Sequence, residues 1–154
     1  MDITNQQISD NPDCVVITTR ILSAPLEQAF KAWTDPNHLS KWWGPKGFTN
    51  TFHEYDLRPG GKWLFTMHSE TGIDYPNQCE FISMDEPNSI AWNHISNPVF
   101  KIVVRFTSID PNNTQVEFNM IFPTPEACQK IKQFVTEKNE ENMDRLEIEL
   151  LNVQ

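Results

Sequence analysis

Residues 123–152, PTPEACQKIKQFVTEKNEENMDRLEIELLN, decide the fold. Thr124 stands as an N-cap, Pro125 suits a first turn where its missing N–H is no loss, and Glu126 is an acid at the positive helix end. Beyond them no Gly or Pro interrupts the run until about Asn152, so the spacing predicts one helix of about 26 residues, near 39 Å at 1.5 Å per residue. At 100° per residue Ala127, Ile131, Phe134, Val135 and Leu146 form one apolar stripe that must be buried. Lys138 and Asn142 interrupt that stripe. Either Lys138 snorkels to the rim or pairs with a nearby Glu, or the helix stands off its cover and both residues are polar handles of a cavity.

The cover is a sheet. Segments 48–57, 62–69, 75–84, 89–95, 99–109 and 114–122 read as strands, separated by Arg58-Pro59-Gly60-Gly61, Glu70-Thr71-Gly72, Asp85-Glu86-Pro87-Asn88, Asn97-Pro98 and Asp110-Pro111-Asn112-Asn113. Connections this short predict an antiparallel meander. Alternation puts Trp63, Phe65 and Met67 on one face, with Cys79 and Phe81, Ile90 and Trp92, and Val116, Phe118, Met120 and Phe122. Thr66, His68, Gln78, Glu80, Gln115, Glu117 and Asn119 take the opposite, wet face.

Upstream, the β-branched run CVVITTRIL at 14–22 reads as a further strand. Ser23 or Ala24 before Pro25 opens a short helix with Leu26, Ala29, Phe30 and Trp33 on one side. Asp35-Pro36 breaks it and caps a second short helix, which Gly44-Pro45 ends; Trp42-Trp43 anchors that helix over the mouth of the sheet. Residues 1–12 read as a mobile tail, and 13–154 as a single α+β domain: a curved antiparallel sheet around a long C-terminal helix, with two short helices after the first strand.

A chain of 154 residues supports one core. Its 12 Lys and Arg against 21 Asp and Glu give −9, the wrong sign for capturing nucleic acid or an anionic membrane. Cys14, Cys79 and Cys128 form no CxxC, and the polar, acidic start is no signal peptide, so a cytoplasmic protein is expected, a monomer or weak homodimer. Nucleophile-elbow, phosphate-loop, dinucleotide, zincin and EF-hand motifs are absent. His38, His53, His68 and His94 are dispersed without metal-ligand spacing, so neither metal nor cofactor is expected. His94 alone shares the Trp92 face, as a hydrogen-bonded core or rim histidine or as a cavity group.

Three blocks resemble a known family in order and spacing: Ala24-Pro25-Leu26-Glu27-Gln28-Ala29-Phe30-Lys31-Ala32-Trp33-Thr34-Asp35-Pro36 with Leu39 and Lys41-Trp42-Trp43-Gly44-Pro45; Asp56-Leu57-Arg58-Pro59-Gly60-Gly61-Lys62-Trp63 with Asp74-Tyr75-Pro76-Asn77; and Met143-Asp144-Arg145-Leu146. Over about residues 14–151 the chain resembles the activator of heat-shock protein 90 ATPase homologue family. That resemblance implies the helix-grip fold of the START-like, or SRPBCC, superfamily, which includes pollen allergens, polyketide cyclases and lipid-transfer domains and often encloses an apolar cavity. It also implies a stress-response setting. Relatives often carry Gly or Trp in the middle of the last helix, where this chain has Lys138 and Asn139.

Three functions follow as expectations. The first is binding of a small apolar or lipid-like molecule between the sheet face of Trp63, Phe65, Met67, Phe81, Trp92, His94, Phe118 and Met120 and the helix face of Ile131, Phe134, Val135, Lys138 and Asn142, with Trp42 and Trp43 at the mouth. The second, from the resemblance, is a chaperone partner. The third is a cyclase or hydrolase using Lys138 or His94 as base, though no acid, base and electrophile cluster supports catalysis.

Overall fold

The computed structural model describes residues 14–153, so the tail expected over 1–12 lies outside the described residues. Strand β1 (Val15–Leu22) leads into helices α1 (Leu26–Thr34) and α2 (Pro36–Trp42). Strands β2 (Thr49–Tyr55), β3 (Lys62–His68), β4 (Asp74–Asp85), β5 (Ser89–His94), β6 (Phe100–Asp110) and β7 (Asn113–Ile121) follow, and α3 (Pro125–Leu150) closes the chain. The sheet is antiparallel throughout, in the order β1-β7-β6-β5-β4-β3-β2. The last six strands form the meander the short turns require, and β1 joins β7 across all the elements between them. Register shifts at Phe52/Glu54, Phe81/Ser83 and Ser108/Asp110 add local bends to a sheet that curves around the long helix. At the β2–β3 turn Gly61 is obligatory, since a Cβ there would overlap the Asp56 carbonyl.

Alternation holds for the concave face, but Asn119, expected on the wet face, is fully buried there, its amide donating to Val103 O at 3.1 Å. Trp63, Phe65, Cys79, Phe81, Ile90, Trp92, Val116, Phe118 and Phe122 are all buried on the concave face. All five tryptophans are inside, and Trp43 is the hub, with ring centroids 5.7 Å from Trp42, 5.7 Å from Trp63, 5.8 Å from Trp92 and 6.0 Å from Phe118. The Trp42 indole donates to the Ala32 carbonyl at 2.8 Å, whereas the Trp33 and Trp63 indole N–H groups are buried without a partner among the described residues. Burying one such ring contributes about 4–6 kcal/mol at 25 cal/mol per Å², against about 1–3 kcal/mol for an unpaired donor, so the packing tolerates them.

Caps match the sequence in two places and differ in one. The Thr124 side chain accepts from the Ala127 N–H at 3.1 Å, and that of Asp35 from the Asn37 N–H at 2.9 Å. Helix α1 instead starts after Pro25, whose extended backbone makes it the N-cap residue without a side-chain bond, so neither Ser23 nor Ala24 caps. Side chains tie the helices to the sheet and to one another. The Tyr55 hydroxyl donates to Thr34 O at 2.7 Å, and Glu149, buried on α3, meets His38 Nδ1 at 2.7 Å.

Helix α3 does not present the stripe that periodicity marks. Its buried residues are Cys128, Asn139, Asn142, Met143, Leu146, Glu149 and Leu150, with Ile131 and Val135 half-buried beside them. Relative to the expected stripe the helix is turned by roughly 60°, at 100° per residue. Phe134 is therefore 63% exposed. Lys138 also lies off the buried face, 3.6 Å from Glu141 and with its ammonium 5.5 Å from the Phe134 ring centroid.

Candidate functional site

Between the concave face and α3 lies a chamber of about 140 Å³. Five aromatic walls, Trp43, Phe65, Trp92, Phe100 and Phe118, come from the segment after α2 and from β3, β5, β6 and β7. Met67, Cys79, Ile102 and Met120 fill the gaps between them. Four polar residues enter the lining, Asn77, His94, Asn139 and Asn142, all amide or imidazole. Burial pushes the Cys79 thiol up to about 12, so it is neutral and adds no charge.

The floor of the chamber is the segment 40–48, and α3 holds it in place. Arg145 donates to the carbonyls of Lys41, Trp43, Gly44, Pro45 and Phe48 at 2.8–3.3 Å. Burial holds this guanidinium below its usual range, and its hydrogen-bond acceptors are carbonyl dipoles. One turn back, Asn142 Oδ1 accepts from the Gly44 N–H at 3.1 Å, and from β2 Asn50 Nδ2 donates to Ser40 O and Trp43 O. Gly44 has φ +102, and a Cβ there would come within 2.8 Å of Met67 Cε. The Trp43-Gly44-Pro45 wall thus follows from a glycine turn, an arginine fork and two asparagines, of which the sequence reading singled out Asn142 alone as a site residue.

On the far side Asn139, 7% exposed, directs its amide nitrogen at the Met120 sulfur at 3.3 Å, a weak acceptor. Asn139 Oδ1 and Asn142 Nδ2 make no hydrogen bond to a described residue. His94, 6% exposed, stacks on Phe100 with centroids 4.4 Å apart and planes 4° apart. Its Nε2 is 2.6 Å from Asn77 Oδ1 and its Nδ1 2.8 Å from Pro98 O. Two acceptors favour the doubly protonated ring, but burial is the larger effect and holds its pKa below the usual histidine range. His94 is therefore the neutral, hydrogen-bonded rim histidine.

The expected site residues divide. Phe65, Met67, Trp92, His94, Phe118, Met120, Asn142 and Trp43 come together around the chamber. Trp63 and Phe81 stand behind the lining in the aromatic core, and Trp42 is packed edge-on against Trp33 at 4.7 Å instead of at a mouth. Ile131 and Val135 pack against the core outside the lining, and Phe134 and Lys138 face outward. The sequence reading misses Gly44, Pro45, Asn77, Cys79, Phe100 and Ile102 of the lining, and it misses the buried amide of Asn139. The one signal for Asn139 was position, at the point of the helix where the resembling family often has Gly or Trp.

The outer face of the sheet carries a chain with the residue order of an acyl-transfer triad: Thr51 Oγ1 lies 2.8 Å from His68 Nε2, and His68 Nδ1 lies 2.7 Å from Asp74 Oδ1. These side chains are solvent-exposed, on the face opposite the chamber. Among the described residues no group of three or more His, Cys, Asp or Glu is placed to hold a metal ion, and no helix is long and apolar enough to cross a membrane.

The family model described as activator of Hsp90 ATPase homolog 1-like protein matches residues 23–150. No curated protein matches the chain. Among solved structures, a protein from Nitrosomonas europaea is 20% identical with a TM-score of 0.83, covering 92% of this chain and 97% of its own. A protein from Mycobacterium smegmatis is 25% identical with a TM-score of 0.77, covering 90% and 91%. A protein from Silicibacter pomeroyi that carries the family's name is 16% identical with a TM-score of 0.72, covering 89% and 97%. The helix-grip architecture is common to all of them.

Proposed function

Because the chain belongs to the family of activator of Hsp90 ATPase homolog 1-like proteins, a family with a START-like frame, we propose that it binds a small neutral molecule, seating one ring-sized group between the sheet and α3. The observation that carries this reading is the pair Asn139 and Asn142. Both are more than nine-tenths buried, both line a chamber whose other polar residues, Asn77 and His94, face each other, and each keeps an amide atom without a protein partner among the described residues. One acceptor and one donor in an aromatic box suit a ring bearing a hydroxyl or amide group. A volume near 140 Å³ suits about one benzene-sized group, and unfavourably hydrated apolar walls favour exchanging water for it. An anion is disfavoured, since the lining holds no cation to pair with it.

Burying a ring of about 200 Å² at 25 cal/mol per Å² contributes about 5 kcal/mol, a dissociation constant in the sub-millimolar range. Titration with phenol, benzyl alcohol and benzoate, followed by the fluorescence of Trp43 and Trp92, tests the proposal. Saturable binding of the two neutral probes, at least tenfold tighter than benzoate, is the expected result. No saturable binding, or equal binding of benzoate, overturns it. The family description also raises an action on Hsp90-type chaperones, favoured by the match alone. A rise in chaperone ATPase turnover on adding the purified chain tests that, and no rise at large molar excess overturns it.

A further inference from the structure

The chamber is small beside the roughly 300–1,000 Å³ that ligand pockets occupy. A second void lies next to it, a cleft of about 570 Å³ at the ends of β5, β6 and β7. Its apolar lining is Ile95, Val99, Phe100, Ile121, Phe122 and Pro123, with Asn93, His94 and Lys101 beside them. Ile95 and Val99, at either side of the β5–β6 turn, are 49% and 51% exposed and flank this one apolar cleft. His94 and Phe100 line both voids, so the stacked pair is the wall between them.

That wall is unequal in its fastening. His94 is fastened by hydrogen bonding, its neutral ring having one N–H to give to the oxygens of Asn77 and Pro98, which lie 2.6 Å and 2.8 Å from its ring nitrogens. Phe100 is held by ring packing alone, on His94 at 4.4 Å and Phe122 at 5.7 Å, and it is only half-buried. A rotamer change of Phe100 breaks no side-chain hydrogen bond.

Resting on the ring-binding reading above, we infer that the chamber and the cleft are the two halves of one site, and that its ligand is a neutral ring with an unbranched aliphatic tail, the ring inside against Trp43, Trp92 and Phe118 and the tail passing Phe100 into the cleft. The aromatic walls and the unpaired amides belong to the chamber, and the exposed aliphatic side chains to the cleft, which sets the orientation. Each methylene laid into the cleft removes apolar surface from water on both partners, worth a two- to fourfold gain in affinity until the cleft is filled.

A series of phenol, 4-ethylphenol, 4-butylphenol and 4-hexylphenol tests this by calorimetry on the full chain. The expected result is an affinity that climbs with each added methylene, reaching at least thirtyfold from phenol to hexylphenol. Val99→Glu, at an exposed position that does not threaten folding, lowers the hexylphenol-to-phenol affinity ratio at least tenfold. Phenol binding with flat or falling affinity along the series overturns the two-part site and leaves the chamber reading standing. An unchanged ratio in Val99→Glu also overturns it, and no binding by any member removes both readings.

Discussion

Arg145 is the residue whose removal tests the architecture of the site most directly. Its guanidinium reaches five carbonyls on one short segment, the shortest contacts being 2.8 Å to Gly44 and 2.8 Å to Phe48. Trp43 O keeps a second donor in Asn50 Nδ2, and Pro45 O keeps the Phe48 N–H, so the losses in Arg145→Ala fall on Gly44, Phe48 and Lys41. Hydrogen bonds from a charged donor contribute about 1.5–3 kcal/mol each. Counting the two short bonds in full and the solvent-facing Lys41 bond as negligible gives a cost of about 3–6 kcal/mol. In a chain this long that lowers the melting temperature by about 9–18 °C. Arg145→Lys keeps the charge but not the planar fork, and a single ammonium serves one of the two short acceptors well, so about half the loss returns.

The assay is urea unfolding at fixed pH and at two salt concentrations, read as the midpoint with the slope unchanged. Because the partners are carbonyls, the loss in Arg145→Ala hardly depends on salt. Since the same segment supplies the Trp43-Gly44-Pro45 wall, phenol binding measured on the folded fraction weakens in step with stability across the two variants. A cost in Arg145→Ala below about 1 kcal/mol, or a lysine variant as stable as the parent, refutes the reasoning.

Arg20 offers the contrast. It sits at 2.7 Å from Glu140, 2.7 Å from Asp144 and 3.1 Å from Glu147, and these carboxylates raise its pKa in spite of the burial that opposes them. The acids are largely exposed, so Arg20→Met costs only about 1–2 kcal/mol, and 1 M salt or an added Asp144→Asn recovers part of it; a salt-independent loss contradicts this account. Gly44→Ala combines a left-handed backbone with a Cβ 3.3 Å from Phe48 Cβ as well as the Met67 contact, so it costs about 2–3 kcal/mol in denaturant titration, and a loss under 0.5 kcal/mol counts against the close approach. His94 binds its proton less readily folded than unfolded, so below the ordinary 6.5 the unfolded chain carries more protons and stability falls on acidification down to the depressed folded value. The limiting slope is about 1.4 kcal/mol per pH unit for one proton, and His94→Gln flattens the profile between that folded value and pH 6.5, which a pH series of unfolding midpoints measures.

The sheet was legible because a strand has a period of two, and one aromatic residue fixes the face of its neighbours. Trp63, Phe65 and Met67, or Val116, Phe118 and Met120, could not be slipped by one without exposing three large side chains. The turns were legible for a local reason too, in Gly60-Gly61 and Asp110-Pro111. The partnership of β1 with β7 was not, because about ninety residues separate them and no turn chemistry links them; only closure of the sheet around α3 decides it.

The phase of α3 was illegible for a different reason, and it bears on the ligand. Hydrophobic weighting gives Phe134 a large vote and the two asparagines negative ones, so the stripe centres near Ile131. In the folded chain the helix is oriented by polar ties that hydrophobicity does not count: Asn142 to Gly44, Arg145 to the carbonyls of 41–48, Glu149 to His38, and Arg20 to the acids at 140, 144 and 147. Together these turn Asn139 inward and carry Phe134 and Lys138 out. The displacement from Lys138 to its neighbour is one residue, about 100° of rotation, but it changes the chemistry the site asks for. A buried ammonium would call for an anionic ligand to balance it, and two amides call for a neutral one that can both donate and accept. The idea of a hollow between sheet and helix with polar handles does not depend on which residue supplies the handle; the charge of the molecule that fits there does.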